Sequence, residues 1–199
     1  KTIERYQTMF TGVFYDRYIR GLWVLAEGLV YDFFGEEQIV DVEPENGRYY
    51  ISVDYGTLNP FSAGLWCVTK DQAVRVDEYY YSGREMTGQK TDEEYHRIDY
   101  VVIDPSAASF ITTVFRHGEF RVVKAKNEVL DGIRQTAVYL RMGRVKIHRR
   151  CKDTIREFGL YRWDEKSTED KPIKENDHAM DDIRYFCRTI LARKFPVKR

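Results

Sequence analysis

The sequence predicts an α/β domain on a central mixed sheet, with an antiparallel three-strand meander joined to parallel strands and helices on the flanks. Two observations predict it. Short runs rich in β-branched and aromatic residues follow one another at 48–55, 62–69 and 73–81, separated only by turn-forming residues. From residue 98 onward, strand-like runs alternate with stretches whose apolar residues recur at helical spacing.

Taken in order, residues 1–47 read as an irregular, aromatic lead-in packed on the main body, and 48–199 as the domain proper. The first strand, 48–55, ends at Asp54 just before Tyr55-Gly56. Gly56, Asn59 and Pro60 separate it from the second strand, and Lys70, Asp71 and Gln72 separate the second from the third. Turns of that composition connect antiparallel neighbours. The run 98–104 has the character of a buried strand and ends in Asp104-Pro105-Ser106. A helix is expected over 107–117, a short strand over 119–124, and a helix over 127–142 with Asn127 as its N-cap. A strand at 144–148, a helix near 151–160, a polar loop over 164–176 and a last helix over 177–192 complete the chain. Only Gly83 to Arg97 remain for the connection into the 98–104 strand, short for a parallel crossover, so residues missing near 94–97 are suspected.

Composition narrows the function classes. Of 199 residues, 43% are hydrophobic and 32% charged, which is ordinary for a globular protein; 15 Tyr and 11 Phe offer large buried area. No apolar run approaches the roughly eighteen residues a membrane span needs, and the first residues do not lead into a signal peptide. Cys67, Cys151 and Cys187 are scattered and odd in number, which suits a reducing cytosol better than a disulfide framework. Formal net charge is zero, which neither supports nor excludes a nucleic-acid partner because charge can be segregated on a surface. No GxxxxGK[ST] phosphate loop occurs, which disfavours an ATP-driven motor. The chain starts without Met and reads as an excised fragment of something longer.

Three acids sit where chemistry would want them: Asp54 and Asp104 at strand ends, and Asp181 on the last helix. A strand-end Asp is most often a turn former, so the case rests on the combination. Converging carboxylates oppose one another's ionisation unless cations neutralise them. Hard divalent ions with oxygen ligands are the natural solution. On the last helix Met180, Ile183, Cys187, Ile190 and Leu191 form the apolar stripe, and His178 and Asp181, three apart, share a face away from it. Asp182 also falls off the stripe, so periodicity does not choose between Asp181 and Asp182. His178 gains weight from its acidic neighbours as a metal ligand or proton-transfer group.

The motifs that carry a family resemblance are Met9-Phe10-Thr11-Gly12, Tyr15-Asp16-Arg17-Tyr18 and Gly21-Leu22-Trp23-Val24 in the lead-in, then Val53-Asp54-Tyr55-Gly56-Thr57-Leu58-Asn59-Pro60, Ile103-Asp104-Pro105-Ser106-Ala107 and the run from Lys174 to Tyr185. Over nearly its whole length the chain resembles the nuclease domain of the large terminase subunit of tailed, headful-packaging bacteriophages. That resemblance implies a ribonuclease H-like fold. It also implies that Asp54, Asp104 and Asp181 are metal ligands assisted by His178, with Asp181 rather than Asp182 in the ligand set and Asp177 and Asp182 outside it. The activity implied is that of a metal-dependent endonuclease cutting double-stranded viral DNA during genome packaging, with Mg²⁺ or Mn²⁺, two ions in all, as cofactor. The implied setting is the cytoplasm of the infected host. The partners would be double-stranded DNA, the terminase small subunit and the portal protein, with the packaging ATPase domain lying outside this stretch of chain. The rival readings are a structure-selective, resolvase-like nuclease and a non-catalytic interaction module of the packaging motor.

A duplex substrate needs cationic side chains for its phosphates. The stretch 141–152 holds six Lys or Arg in twelve positions, Arg149 and Arg150 among them, and Lys124, Lys126 and Lys174 lie in loops that border the proposed site. A charge run is usually a solvated face, so these five are candidates for phosphate contact.

Overall fold

The computed structural model describes residues 15–16, 20–21, 25–55, 61–81, 98–117 and 121–197. Most of the lead-in motifs, the turn 56–60 and the connection 82–97 lie outside the described residues. A 3₁₀ turn at Glu36–Gln38 opens the regular structure, followed by β1 (Ile39–Val40), β2 (Arg48–Asp54), β3 (Phe61–Val68), β4 (Ala73–Tyr81) and β5 (Ile98–Ile103). Next come α1 (Ala108–His117), β6 (Val122–Lys124), α2 (Val129–Arg141), β7 (Val145–His148), α3 (Lys152–Phe158) and α4 (His178–Phe186). A π turn at Cys187–Leu191 and a last short helix, α5 (Ala192–Lys194), end it.

Among the described residues seven strands form one sheet in the order β1-β7-β4-β3-β2-β5-β6. The pairs β2–β3 and β3–β4 are antiparallel, the expected meander, while β2–β5, β5–β6, β4–β7 and β1–β7 are parallel. The mixed α/β class read from the sequence, an antiparallel meander joined to parallel strands with helices on the flanks, is therefore the class observed. The two-residue strand β1 was not foreseen. It pairs Ile39 with Ile147 and Val40 with His148, too short a run to leave an alternating pattern.

The two faces of the sheet are covered by different helices. Residues two apart in a strand share a face. Tyr50, Trp66 and Val102 belong to the main core with Ile133, Leu140, Met180 and Phe186 from α2 and α4. Val53, Val101 and Ile103 face the other way, onto Ala107 and Ile111 of the α1 region. This alternation fixes the site. Ser52 and Asp54 follow Tyr50 on the α4 face of β2, and Asp104 follows Tyr100 and Val102 onto the same face at the end of β5.

Helix α4 departs from the simple amphipathic reading. Its apolar stripe is buried as expected, but Asp181, Asp182, Arg184 and Tyr185 are buried too, because α4 is enclosed by the sheet on one side and by α2 and α3 on others. The expected continuous helix to 192 is instead interrupted by the π turn. Asn127 does not cap α2: the N-cap position is Glu128, without a side-chain cap bond. The Asn127 side chain is engaged by Asp104, and its carbonyl by Arg184 Nη1 at 2.6 Å.

Candidate active site

Two adjacent strands deliver two of the expected acids. In the parallel β2–β5 pair, Val53 stands opposite Ile103, so Asp54 and Asp104 lie one step beyond, side by side at the carboxyl edge. Asp104 is nearly buried, at 8% exposure, and its Oδ1 accepts the Ser106 amide at 2.7 Å, closing the turn after β5. Burial pulls its carboxyl upward, but hydrogen bonds from Ser106, Tyr185 and Asn127 outweigh that and hold its pKa below the ordinary value. Asp54 differs. Burial raises its pKa, the His178 hydrogen bond opposes that, the Asp181 charge adds to the rise, and the net shift is upward.

Helix α4 supplies the remaining two groups. His178, its first residue, places Nδ1 2.9 Å from Asp54 Oδ2, and this bond outweighs burial in raising the imidazole pKa. One turn along, Asp181 divides its oxygens: Arg184 holds Oδ1 at 2.8 Å, and Lys174 Nζ stands 3.4 Å from Oδ2. Tyr185 links the set. Its phenol pKa is raised by burial, then by the charges of Asp181 and Asp54, and by a hydrogen bond with Asp104. All three acids thus act on one hydroxyl.

The neighbouring Asp182 has a different role. It is fully buried and accepts hydrogen bonds from Ser52 Oγ at 2.8 Å, from Ser62 Oγ, and from both terminal nitrogens of Arg75, with Nη2 at 3.0 Å. Trp66 Nε1 completes the network on Ser52 at 2.8 Å. Gly64 makes it possible, since a Cβ there would overlap the Arg75 guanidinium. Gly132 in α2 likewise clears the stem of Arg184, whose Cγ and Cδ occupy the space a Cβ would need.

Sequence reasoning missed Arg75, Ser52, Ser62, Glu157, Arg184 and Tyr185. Two signals could have found some of them: an arginine inside the apolar run of β4, and glycines in the interiors of β3 and α2. Glu157, fully buried on α3, accepts the Ala179 amide at 2.8 Å and the Tyr80 hydroxyl, and so caps α4 from a neighbouring helix. Nothing local in the sequence marks that contact.

The basic candidates separate into two groups. Lys124 stands opposite Ile103 in the β5–β6 pair and so shares its α1 face, on the side of the sheet away from Asp104, and Lys126 follows it by two residues. Arg149 instead binds Glu36 at 2.8 Å and Asp41 at 2.7 Å, and Arg150 lies against His148 and 3.8 Å from Glu43. They follow β7, three strand spacings from β2, or roughly 14 Å across the sheet. Others of the 141–152 run are also engaged locally: Arg141 on the Phe33 ring at 3.7 Å, Lys146 on the Glu37 carbonyl.

Among the described residues, no three Asp, Glu, His or Cys side chains stand close enough, as oriented, to hold one ion. The donor chemistry nevertheless fits a hard divalent cation. Asp54, Asp104 and Asp181 offer only oxygen, from adjoining positions, and two cationic side chains already stand in as positive charge on Asp181.

Comparison with known proteins gives this arrangement a family. No protein-family model matches the chain. The large terminase of a thermophilic bacteriophage is 48% identical, with a TM-score of 0.85 over 95% of this chain and 51% of that one. The chain is a relative of the large terminases. The terminase large subunit of Escherichia phage T5 is 23% identical over 184 residues, 80% of this chain and 41% of that protein. The chain therefore spans about half the length of the large terminases it matches. Its fold is that of their nuclease domains: the P22 nuclease domain aligns with a TM-score of 0.65 at 19% identity, covering 83% of this chain and 93% of that domain. The SPP1 nuclease domain, solved with bound Mn, aligns at 0.53 and 18%, covering 74% and 93%. Among the described residues no helix is long and apolar enough to cross a membrane.

Proposed function

We propose that this chain is a divalent-metal-dependent endonuclease that cuts double-stranded viral DNA during genome packaging. One observation carries the proposal: Asp54 and Asp104 end adjoining strands on the face covered by the helix that carries Asp181 and His178, and His178 is hydrogen-bonded to Asp54 at 2.9 Å. The kinship with large terminases and the Mn-bound SPP1 relative support it.

In this reading Asp54, Asp104 and Asp181 hold the cations, two Mg²⁺ or Mn²⁺, with His178 beside them. Bound there, divalent ions supply Lewis-acid charge for a phosphodiester and lower the pKa of a water. The protein's own groups do the positioning. Ser106 and Asn127 orient Asp104, Arg184 fixes one oxygen of Asp181, and His178 holds a proton at Nδ1 against Asp54. Phosphate contact falls first to Lys174, which stands 3.4 Å from Asp181, with Lys124 and Lys126 further along the same strand-end edge. Arg149 and Arg150 would reach DNA only by exchanging carboxylates for phosphates. We place the boundary of the nuclease domain at residue 48, with 1–47 as lead-in from the packaging ATPase. The partners of the assembly are then the small subunit and portal protein, in the host cytoplasm.

Nicking of supercoiled plasmid tests this. The chain should nick in Mn²⁺ or Mg²⁺ and not in EDTA. Asp54→Ala, Asp104→Ala and Asp181→Ala should each lower the rate by at least about a hundredfold while remaining folded. Full activity in any of the three would remove that residue from the site, and in all three would end the proposal.

A further inference from the structure

We propose that Lys174 is a placeholder cation, whose ammonium covers the free oxygen of Asp181 until a divalent ion takes that oxygen. The inference rests on the nuclease reading above and adds how the site is held before metal arrives.

The two cations on Asp181 are of different kinds. Arg184 is 2% exposed, holds Oδ1, donates to the Asn127 carbonyl and lies in the space left by Gly132. It is fixed. Lys174 reaches Asp177 at 3.3 Å and Asp181 Oδ2 at 3.4 Å, yet its side chain is 67% exposed. Its ammonium sits at the mouth of the site on a flexible four-carbon stem and can withdraw into water. The oxygen that Arg184 leaves available for a metal ion is therefore the one that Lys174 covers.

The backbone around Lys174 does not need to move for this exchange. Trp163 bridges to Pro172, Ile173 N donates to the Arg162 carbonyl at 3.0 Å, and Asp170 and Glu165 accept the amides of Ala26 and Gly28. Only the side chain swings. While it is in place its charge offsets those of Asp177 and Asp181, both nearly buried. Exposed ion pairs are weak, so displacing it should reduce metal affinity by only about three- to tenfold.

Titration calorimetry with Mn²⁺, without DNA, tests the inference on the wild type, Lys174→Ala, Lys174→Arg, Asp181→Asn and Lys171→Ala. Lys171 belongs to the same loop, is 61% exposed and pairs with Asp164 instead. Lys174→Ala should bind Mn²⁺ about three- to tenfold more tightly than wild type, Lys174→Arg and Lys171→Ala should match wild type, and Asp181→Asn should lose binding. Unchanged or weaker binding by Lys174→Ala, with Asp181→Asn still defective, would overturn the placeholder and leave the nuclease reading intact. Equal gains in Lys174→Ala and Lys171→Ala would reduce the effect to net charge and also overturn it. Absence of any Asp181-dependent binding would overturn both.

Discussion

Asp54 and Asp104 occupy equivalent positions on neighbouring strands, yet their carboxyls are held in opposite directions. Asp104 is surrounded by donors and stays ionised readily, whereas Asp54 is buried beside Asp181 and depends on His178. The His178 imidazole is raised above its ordinary 6.5, first by the Asp54 hydrogen bond, against burial. A group raised on folding contributes stability that is complete below its unfolded value and is lost as pH rises through the folded value. In metal-free protein, NMR titration should therefore find His178 protonated beyond pH 6.5, and Asp54→Asn should move its midpoint downward. A midpoint indifferent to Asp54→Asn would show that the pair does not govern the proton. At this scale the sequence was legible where a residue ends a strand, because strand ends and turn residues are local signals. It was silent on Asp181 against Asp182, since both leave the apolar stripe and only the enclosing elements distinguish them.

Helix α4 is the element on which the site depends, and it is anchored by charge as much as by apolar packing. The Asp182–Arg75 pair, with Ser52, Ser62 and Trp66, ties its centre to β2, β3 and β4, while Glu157 caps its first turn. Removing one partner of a buried ion pair leaves the other unpaired, which costs about 3–5 kcal/mol. Asp182→Ala should lower unfolding free energy by about that amount in denaturant titration, and Arg75→Met with Asp182→Leu together should recover much of it. A loss below about 1 kcal/mol for Asp182→Ala would mean that the network does not anchor the helix. Elements with strong periodicity, β2 to β5 and α2, were legible in the sequence within a residue or two. β1 was not, being two residues whose pairing is entirely long-range. The π turn was not either, since it inserts into a run whose apolar spacing still reads as helical. The Asn127 cap failed because tertiary partners claimed that side chain.

For the whole molecule, zero net charge conceals a division of labour. Of the basic residues along β7, Arg149 is paired with acids of the lead-in and Lys146 with a backbone carbonyl, whereas Lys174 borders the acids of the site. The run of six cations in twelve residues was the most visible basic feature of the sequence and is not the one nearest the acids. Sequence distance cannot reveal that, because the strand order interposes β4 and β3 between β7 and β2. The account as a whole requires the rim formed by β2, β5 and α4 to accept divalent cations once Lys174 withdraws. A crystal soaked in Mn²⁺ and read for anomalous scattering tests that most directly. Peaks bounded by the carboxylates of Asp54, Asp104 and Asp181 are the predicted result. Ordered carboxylates with no peak between them, at Mn²⁺ concentrations that support plasmid nicking, would contradict it.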